Sequence, residues 1–476
     1  MVCDEAKVGE GRKMKGGKIE VLAAVALAAS LGWGNTGGGP SGMPFEMPTL
    51  TPPEFPARTF NVADFGASAD GRVCTEAFRR AIGACAAAGG GRVVVPKGVW
   101  TTGAVHLRSG VNLHLEEGAV INFTDNPSDY LPAVPSTWEG VECMGYSPLV
   151  YAYGCTNVAV TGKGTLRPRM DFWRTWFDRG ESGDAVMRVL YGWCCEGTPL
   201  SERRVTEIPD NKMRPQLLQF NRSANILLDG FTIRESPFWT IHLFKSENVT
   251  VRNLDVRAHG SNNDGIDIEM TRNVLVEKCR FDQGDDGFVF KSGRNHDAWR
   301  SGCPTENVIV RDCHVEFAHS LLGVGSELSG GVRNVLVENC TVGKVLRLHY
   351  VKTNHRRGAF VDNITLRNIR TDKVDYVMAV ETDILYQWRI LPTVETRYTK
   401  ISNLRIENVD CAEATRGVAL WGDPHEPICG VEIRNVRIGK VSEELFESAN
   451  VRDLKVDGFT AEKVPQTVSG ANHRGH

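Results

Sequence analysis

One short pattern returns along most of this chain. Segments that open on Asn and then alternate apolar and polar positions occur as NVAVTG at 157, NILLDG at 225, NVTVRN at 248 and NVLVEK at 273. NVIVRD at 307, NVLVEN at 334, NITLRN at 363 and NLRIEN at 403 continue the series. From 225 onward the spacings are 23, 25, 34, 27, 29 and 40 residues. Such alternation belongs to a strand with one buried face. Strands recurring at roughly 20–50 residues mark a solenoid. Leucine-rich and ankyrin arrays need helical halves, and helical periodicity is nearly absent after residue 90. A propeller needs four strands in each repeat of about 40–45 residues. The pattern therefore predicts an all-β fold, a single-stranded right-handed parallel β-helix. The sequence offers one good helix, over Thr75–Ala88, Ala-rich and stopped by Gly89-Gly90-Gly91. It is expected to cap the N-terminal end of the core.

The repeat assigns other residues to the same register. Cys279, Cys313 and Cys340 each lie six positions after their repeat's Asn. Equivalent positions stack in a solenoid, so these thiols are expected to form a ladder in the core. Asn248, Asn273, Asn307 and Asn334 are expected to stack at a turn, their side-chain amides bonding the backbone. The full count of thirteen cysteines is odd and includes no CxxC, which excludes zinc-site spacing. Buried free thiols are the expectation.

Length and charge bound the rest. A chain of 476 residues suggests about three domains by length alone. The repeat argues instead for one β-helix domain over 58–465, interrupted near 167–216 and 383–400. Residues 14–31 carry Lys15 and Lys18 followed by an apolar run, the pattern of a secretory signal peptide. Residues 1–33 are read as a leader, with Met14 an alternative start, and the protein as secreted or periplasmic. Residues 34–57 are Gly/Pro-rich and read as a linker, and 466–476 as a disordered tail. With 55 Lys+Arg against 58 Asp+Glu, the net charge of −3 argues against a nucleic-acid partner. No apolar run reaches the ~18 residues of a membrane span.

The register also gathers polar residues. Asp285 lies twelve residues after Asn273, and His319 twelve after Asn307, so they occupy equivalent places on neighbouring coils. Asp264 lies 21 residues before Asp285, and Lys352 lies 33 after His319, each about one coil away. Adjacent strands run ~4.8 Å apart. Two carboxylates of unequal proton affinity can protonate a leaving oxygen and activate water. Asp285 and Asp286 form a crowded like-charge pair. Consecutive strand residues face opposite ways, so a turn is required there, and Gly284 and Gly287 supply it. Residues 339–361 hold seven basic side chains and no acid, which suits a substrate bearing carboxylates. A solvated basic face is the plainer reading of that run.

Over residues 59–440 the chain resembles glycoside hydrolase family 28, the polygalacturonase-like pectin hydrolases. FNVADFGASADG, AIGACAAAGGGRVVVPKGVW and LRSGVNLHLEEGAVI are similar to the family's N-terminal region. NNDGID (262–267) resembles its Asn-Thr-Asp block, which implies Asp264 as a catalytic carboxylate. GDDGFVFKSG (284–293) resembles its Asp-Asp block and implies Asp285 as general acid, with Asp264 and Asp286 on the attacking water. AHSLLGVGSELSGGV resembles the Gly-His-Gly block and implies His319. VKTNHRRG resembles the Arg-Ile-Lys block and implies Lys352 on the substrate carboxylate. Asn262, Lys291, Arg294, Tyr350 and Arg357 are added as candidate substrate contacts. The family's arginine is Tyr350 here, and Arg347, Arg356 and Arg357 are the candidates to replace its charge. The resemblance implies an inverting mechanism with no metal and no cofactor. It also implies a monomer acting on an acidic plant cell-wall polysaccharide or its oligosaccharides.

The two interruptions hold Trp173, Trp176, Trp193, Tyr386 and Trp388. Long insertions in a solenoid usually line its binding face. Aromatic rings there would stack on sugars, and a wall across the groove would make the enzyme exo-acting. The alternative is that these rings pack a core of their own. A rhamnogalacturonan or xylogalacturonan hydrolase is the competing activity. A calcium-dependent pectate lyase and a non-catalytic carbohydrate-binding β-helix stand further off.

Overall fold

The structure is a computed structural model and describes residues 42–384 and 395–463. The leader, the tail, Tyr386 and Trp388 lie outside the described residues. Twenty-seven strands of the described chain join one continuous ladder of parallel pairs. The apolar position of the repeat stacks directly from coil to coil. Ile226 faces Val249, then Val274, Val308, Val335, Ile364, Leu404, Val431 and Leu454. The interior is thus a column of aliphatic layers, which is the expected right-handed β-helix. The first helix, α1 (Thr75–Ala87), buries Ala77, Phe78, Ala81, Ile82 and Cys85 in the same core.

The repeat's Asn stacks at a turn as expected, but the stack is held by amide-to-amide bonds between coils and not by bonds to the backbone. Its side-chain amide donates to the Asn one coil back, Asn225 to Asn157, Asn248 to Asn225, Asn273 to Asn248, Asn307 to Asn273, Asn334 to Asn307 and Asn363 to Asn334, over 2.8–3.4 Å. Each of these residues sits at φ of 54–57°. Asn tolerates that left-handed turn better than other residues with a Cβ. A second ladder of Asn339, Asn368, Asn408 and Asn435 runs beside it. Cys279, Cys313 and Cys340 are buried, each Sγ donating to the carbonyl two residues before it at 3.2–3.3 Å. All twelve cysteines among the described residues are free thiols.

One lateral lobe departs from the expectation. The interruption at 167–216 contains a second helix, α2 (Gly180–Glu196), which the sequence reading missed. Its opening GESGD and interior Gly192 are poor helix formers. What stabilises it is tertiary: Val186, Met187, Leu190, Tyr191 and Cys194 pack on Trp138, Val141, Phe238 and Trp239. Trp138 and Val141 come from an antiparallel hairpin, Val134–Trp138 and Val141–Gly145, also absent from the sequence reading. Trp173 is fully buried in the main core, so its role is packing.

Candidate active site

Five neighbouring coils supply the site, the fifth through Lys352 at the end of strand Val332–Lys352. Strands Ile241–Phe244, Ile266–Glu269, Phe288–Lys291 and His314–Gly325 lie side by side in parallel. The turns entering the second and third present Asp264, Asp285 and Asp286. Oxygens of these three carboxylates lie within 4.8 Å of one another. The coils approach closely here, since a Cβ on Gly284 would lie 2.6 Å from the Gly260 nitrogen. Asn263 ties its turn to the previous coil, donating to the Ser236 and Phe238 carbonyls at 2.9 and 3.0 Å.

Each carboxylate has a different environment. Asp286 is buried, accepts from Ser320 Oγ at 2.6 Å and from Lys352 Nζ at 2.8 Å. Burial alone would raise its proton affinity, but Lys352, Lys291 and Ser320 outweigh it and hold it below the usual carboxylate range. Asp264 is buried as well, and its Oδ1 has no protein partner among the described residues. Burial and the neighbouring Asp285 push Asp264 well above that range, against the pull of Lys291. Asp285 is the most open of the three, its side chain 23% exposed. It meets His319 Nδ1 at 3.1 Å, and that contact raises the imidazole's proton affinity.

On one flank the site is enclosed. Glu139, Trp239, Asn262, Lys291, Ser326 and Glu327 complete the lining of the cavity. Lys291 Nζ donates to Glu327 at 2.9 Å, lies 3.9 Å from Asp264 and 3.7 Å from Asp267, and sits 4.7 Å from the Trp239 ring centre. Glu327 also pairs with Arg294. Across the N-terminal end, Trp138 stacks on Phe238 at 4.2 Å, and Arg214 lies between the Phe177 and Phe238 rings. Arg214 also donates to Asn262 Oδ1 at 2.9 Å. On the C-terminal side Tyr350 lies beneath two cations, Arg347 at 4.6 Å and Lys352 at 5.4 Å.

The structure therefore brings together Asp264, Asp285, Asp286, His319, Lys352, Asn262, Tyr350 and Lys291. Two candidate contacts are corrected. The Arg294 side chain is fully buried and donates to the Glu139 carbonyl at 2.8 Å, so it holds the wall and cannot reach a sugar. Arg357 is buried too, donating to the Ser326 carbonyl at 2.6 Å and to Asn295 at 2.7 Å. Of the arginines considered as replacements at Tyr350, Arg347 stacks on that ring beside Lys352. Glu139, Ser320, Trp239 and Glu327 were missed. Glu327 stood inside the quoted AHSLLGVGSELSGGV block, whereas Glu139 had no local signal.

Carboxylates clustered in a polar cavity are groups that can move protons in a hydrolysis. The model of glycosyl hydrolases family 28 matches residues 184–459. A crystal structure of a hyperthermoactive exopolygalacturonase from Thermotoga maritima is 35% identical, with a TM-score of 0.73, over 87% of this chain and 92% of that one. A probable polygalacturonase from Vitis vinifera is 25% identical over 88% of this chain and 82% of its own length. An exo-poly-alpha-D-galacturonosidase from Dickeya chrysanthemi is 27% identical over 59% of this chain and 50% of its own. The chain belongs to glycosyl hydrolases family 28 and is a glycoside hydrolase.

Proposed function

We propose that the protein hydrolyses α-linked galacturonide bonds in pectin-type polysaccharides, from one chain end and with inversion. The observation carrying this reading is the junction of Asp264, Asp285 and Asp286 with the Lys352 ammonium. Asp285, the carboxyl most open to the groove, gives its proton to the leaving oxygen as the anomeric C–O bond breaks. Asp264 and Asp286 hold a water whose oxygen bonds the anomeric carbon, and they accept its proton. His319 holds Asp285 in place. Lys352 and Arg347 face the substrate's carboxylate.

The carboxylate spacing is tighter than the ~6.5–9.5 Å usual for inverting glycosidases. Inversion is therefore taken from the family resemblance, with two of the three acids sharing one water. The three acids also have the spacing of a cation site. Lys352 already brings a positive charge to Asp286, so a divalent ion would face an ammonium, and no metal is assigned. Action from a chain end is supported by the hairpin of the lateral lobe, whose Glu139 lines the cavity together with Trp239, one coil before Asp264. The relatives named as exo-enzymes support the same mode.

The test is digestion of long polygalacturonate, with early products resolved by size and the new anomer followed by NMR. Release of one small product of inverted configuration is expected. Early oligomers of medium length would sink the chain-end reading, and products with a new double bond would replace hydrolysis with elimination.

A further inference from the structure

Lys291 has an arrangement that a sugar contact does not need. Its side chain is 6% exposed and enclosed by acids on three sides, Glu327 at 2.9 Å, Asp267 at 3.7 Å and Asp264 at 3.9 Å. Trp239 covers it from one further side. Glu327 is itself held by Arg294, whose guanidinium also lies 3.6 Å from Glu139 on the hairpin tip. The ammonium is thus locked from behind by a chain of buried pairs running to the lateral lobe. Its hydrogen bond goes to Glu327, leaving its charge turned on Asp264 and Asp267.

The charges around Asp264 make this placement matter. Asp267 stands on its own strand, and Asp285, Asp286 and Lys291 come from the next coil. Lys352 comes from two coils further on, Glu327 from the flank and Arg214 from the lobe. Asp267 is fully buried, and neither of its oxygens has a hydrogen-bond partner among the described residues. Four carboxyls therefore crowd Asp264's surroundings with one cation placed behind it. Lys352 is committed to Asp286, on the other side.

We propose that Lys291 is a positioning residue: a cation locked by Glu327 behind Asp264, which orients that carboxylate toward the attacking water and sets the pH at which it ionises. This rests on the hydrolytic reading for its consequence in turnover, but the ionisation itself is measurable without turnover.

The experiment compares wild type with Lys291→Gln and Lys291→Arg. Aspartate carboxyls are labelled with 13C, and the Asp264 signal is assigned by its loss in Asp264→Asn. In Lys291→Gln the Asp264 titration should move up by about one to three pH units, the usual effect of a charge at such range. Lys291→Arg should restore most of the shift. The acid limb of kcat on oligogalacturonates should move up with it, kcat should fall at least roughly tenfold, and KM should stay within about twofold. An unmoved titration with a raised KM would overturn the proposal in favour of a sugar contact. An unmoved titration with a lowered melting temperature would overturn it in favour of a purely structural pair. If wild type leaves galacturonides intact, the hydrolytic reading fails while the titration still decides the role of Lys291.

Discussion

The flank where Lys291, Arg294 and Glu327 meet and the coil that carries His349 both bury ionisable groups, with opposite provision for their charge. On the flank, Glu327 collects Lys291, Arg294 and Arg357, and those cations hold it well below the usual carboxylate range although burial pushes the other way. The partners come from separate segments, and the lobe's Glu139 closes the set. His349 lies inside the strand stack, opposite Leu322 on one side and Met378 on the other. Neither of its ring nitrogens has a partner among the described residues. A solenoid interior offers only its own aliphatic layers, so a group placed there must stay neutral. A charge can be buried where loops converge from outside the stack. That is where this protein has put its fixed cation.

The largest break removes the proposed acid itself. Asp285→Asn keeps shape and deletes the transferable proton. Activity on polygalacturonate should fall by about 10²–10⁴, the usual worth of a general acid. The melting temperature should hardly move, because Asp285 is partly exposed and its backbone contacts remain. A variant with near wild-type turnover would remove Asp285 from the acid's role and reopen the reading of a non-catalytic β-helix.

The unpartnered imidazole gives the next effect. Burial pushes the His349 ring down to about 4, against about 6.5 in the unfolded chain. The unfolded state therefore binds the extra proton first. Stability is full above pH 6.5, is lost as pH falls toward 4, and levels off below that. The loss should be about 2 kcal/mol by pH 5 and about 3 kcal/mol in all. His349→Leu suits its aliphatic neighbours and should abolish this portion of the acid sensitivity. Urea unfolding midpoints at pH 7 and pH 5 measure it. If wild type and variant lose the same stability between those pH values, the ring is not the titrating group. The flank should contribute little change between those pH values, since Glu327 is held below the usual carboxylate range and its share of stability is lost only as pH falls below about 4.5.

The same contrast explains what the sequence could show. The Asn register, the Val/Ile layers and the thiol ladder repeat locally, so strand pattern and spacing reveal them. Asp264, Asp285 and His319 were legible because the register put them on neighbouring coils. The hairpin with Glu139 lies about 150 residues from Arg294, and no local periodicity announces that they meet. Helix α2 was hidden because its stability comes from Trp138 and Trp239 and not from propensity. Arg294 and Arg357 were misread for the same reason. A basic residue near an active-site block looks like a ligand contact until its buried partners are known.

Arg347 offers the smallest and most discriminating change. It stands opposite Ser320 in the strand register, and Ser320 holds Asp286. Its guanidinium rests on Tyr350 and approaches Tyr376 at 5.7 Å. Glu381, at 3.9 Å, offsets part of its charge. The side chain is 27% exposed, so solvent and salt screen it, unlike the flank's cations. Arg347→Gln should raise KM on polymeric substrate by about five- to tenfold, the scale of one charge-assisted hydrogen bond weakened by solvent. The pH profile should stay in place, and kcat within about twofold. Raising ionic strength should weaken wild-type binding toward the variant's and leave the variant little changed. A shifted acid limb instead would mean that Arg347, like Lys291, acts on the carboxylates and not on the substrate, and the two sides would then differ in exposure alone.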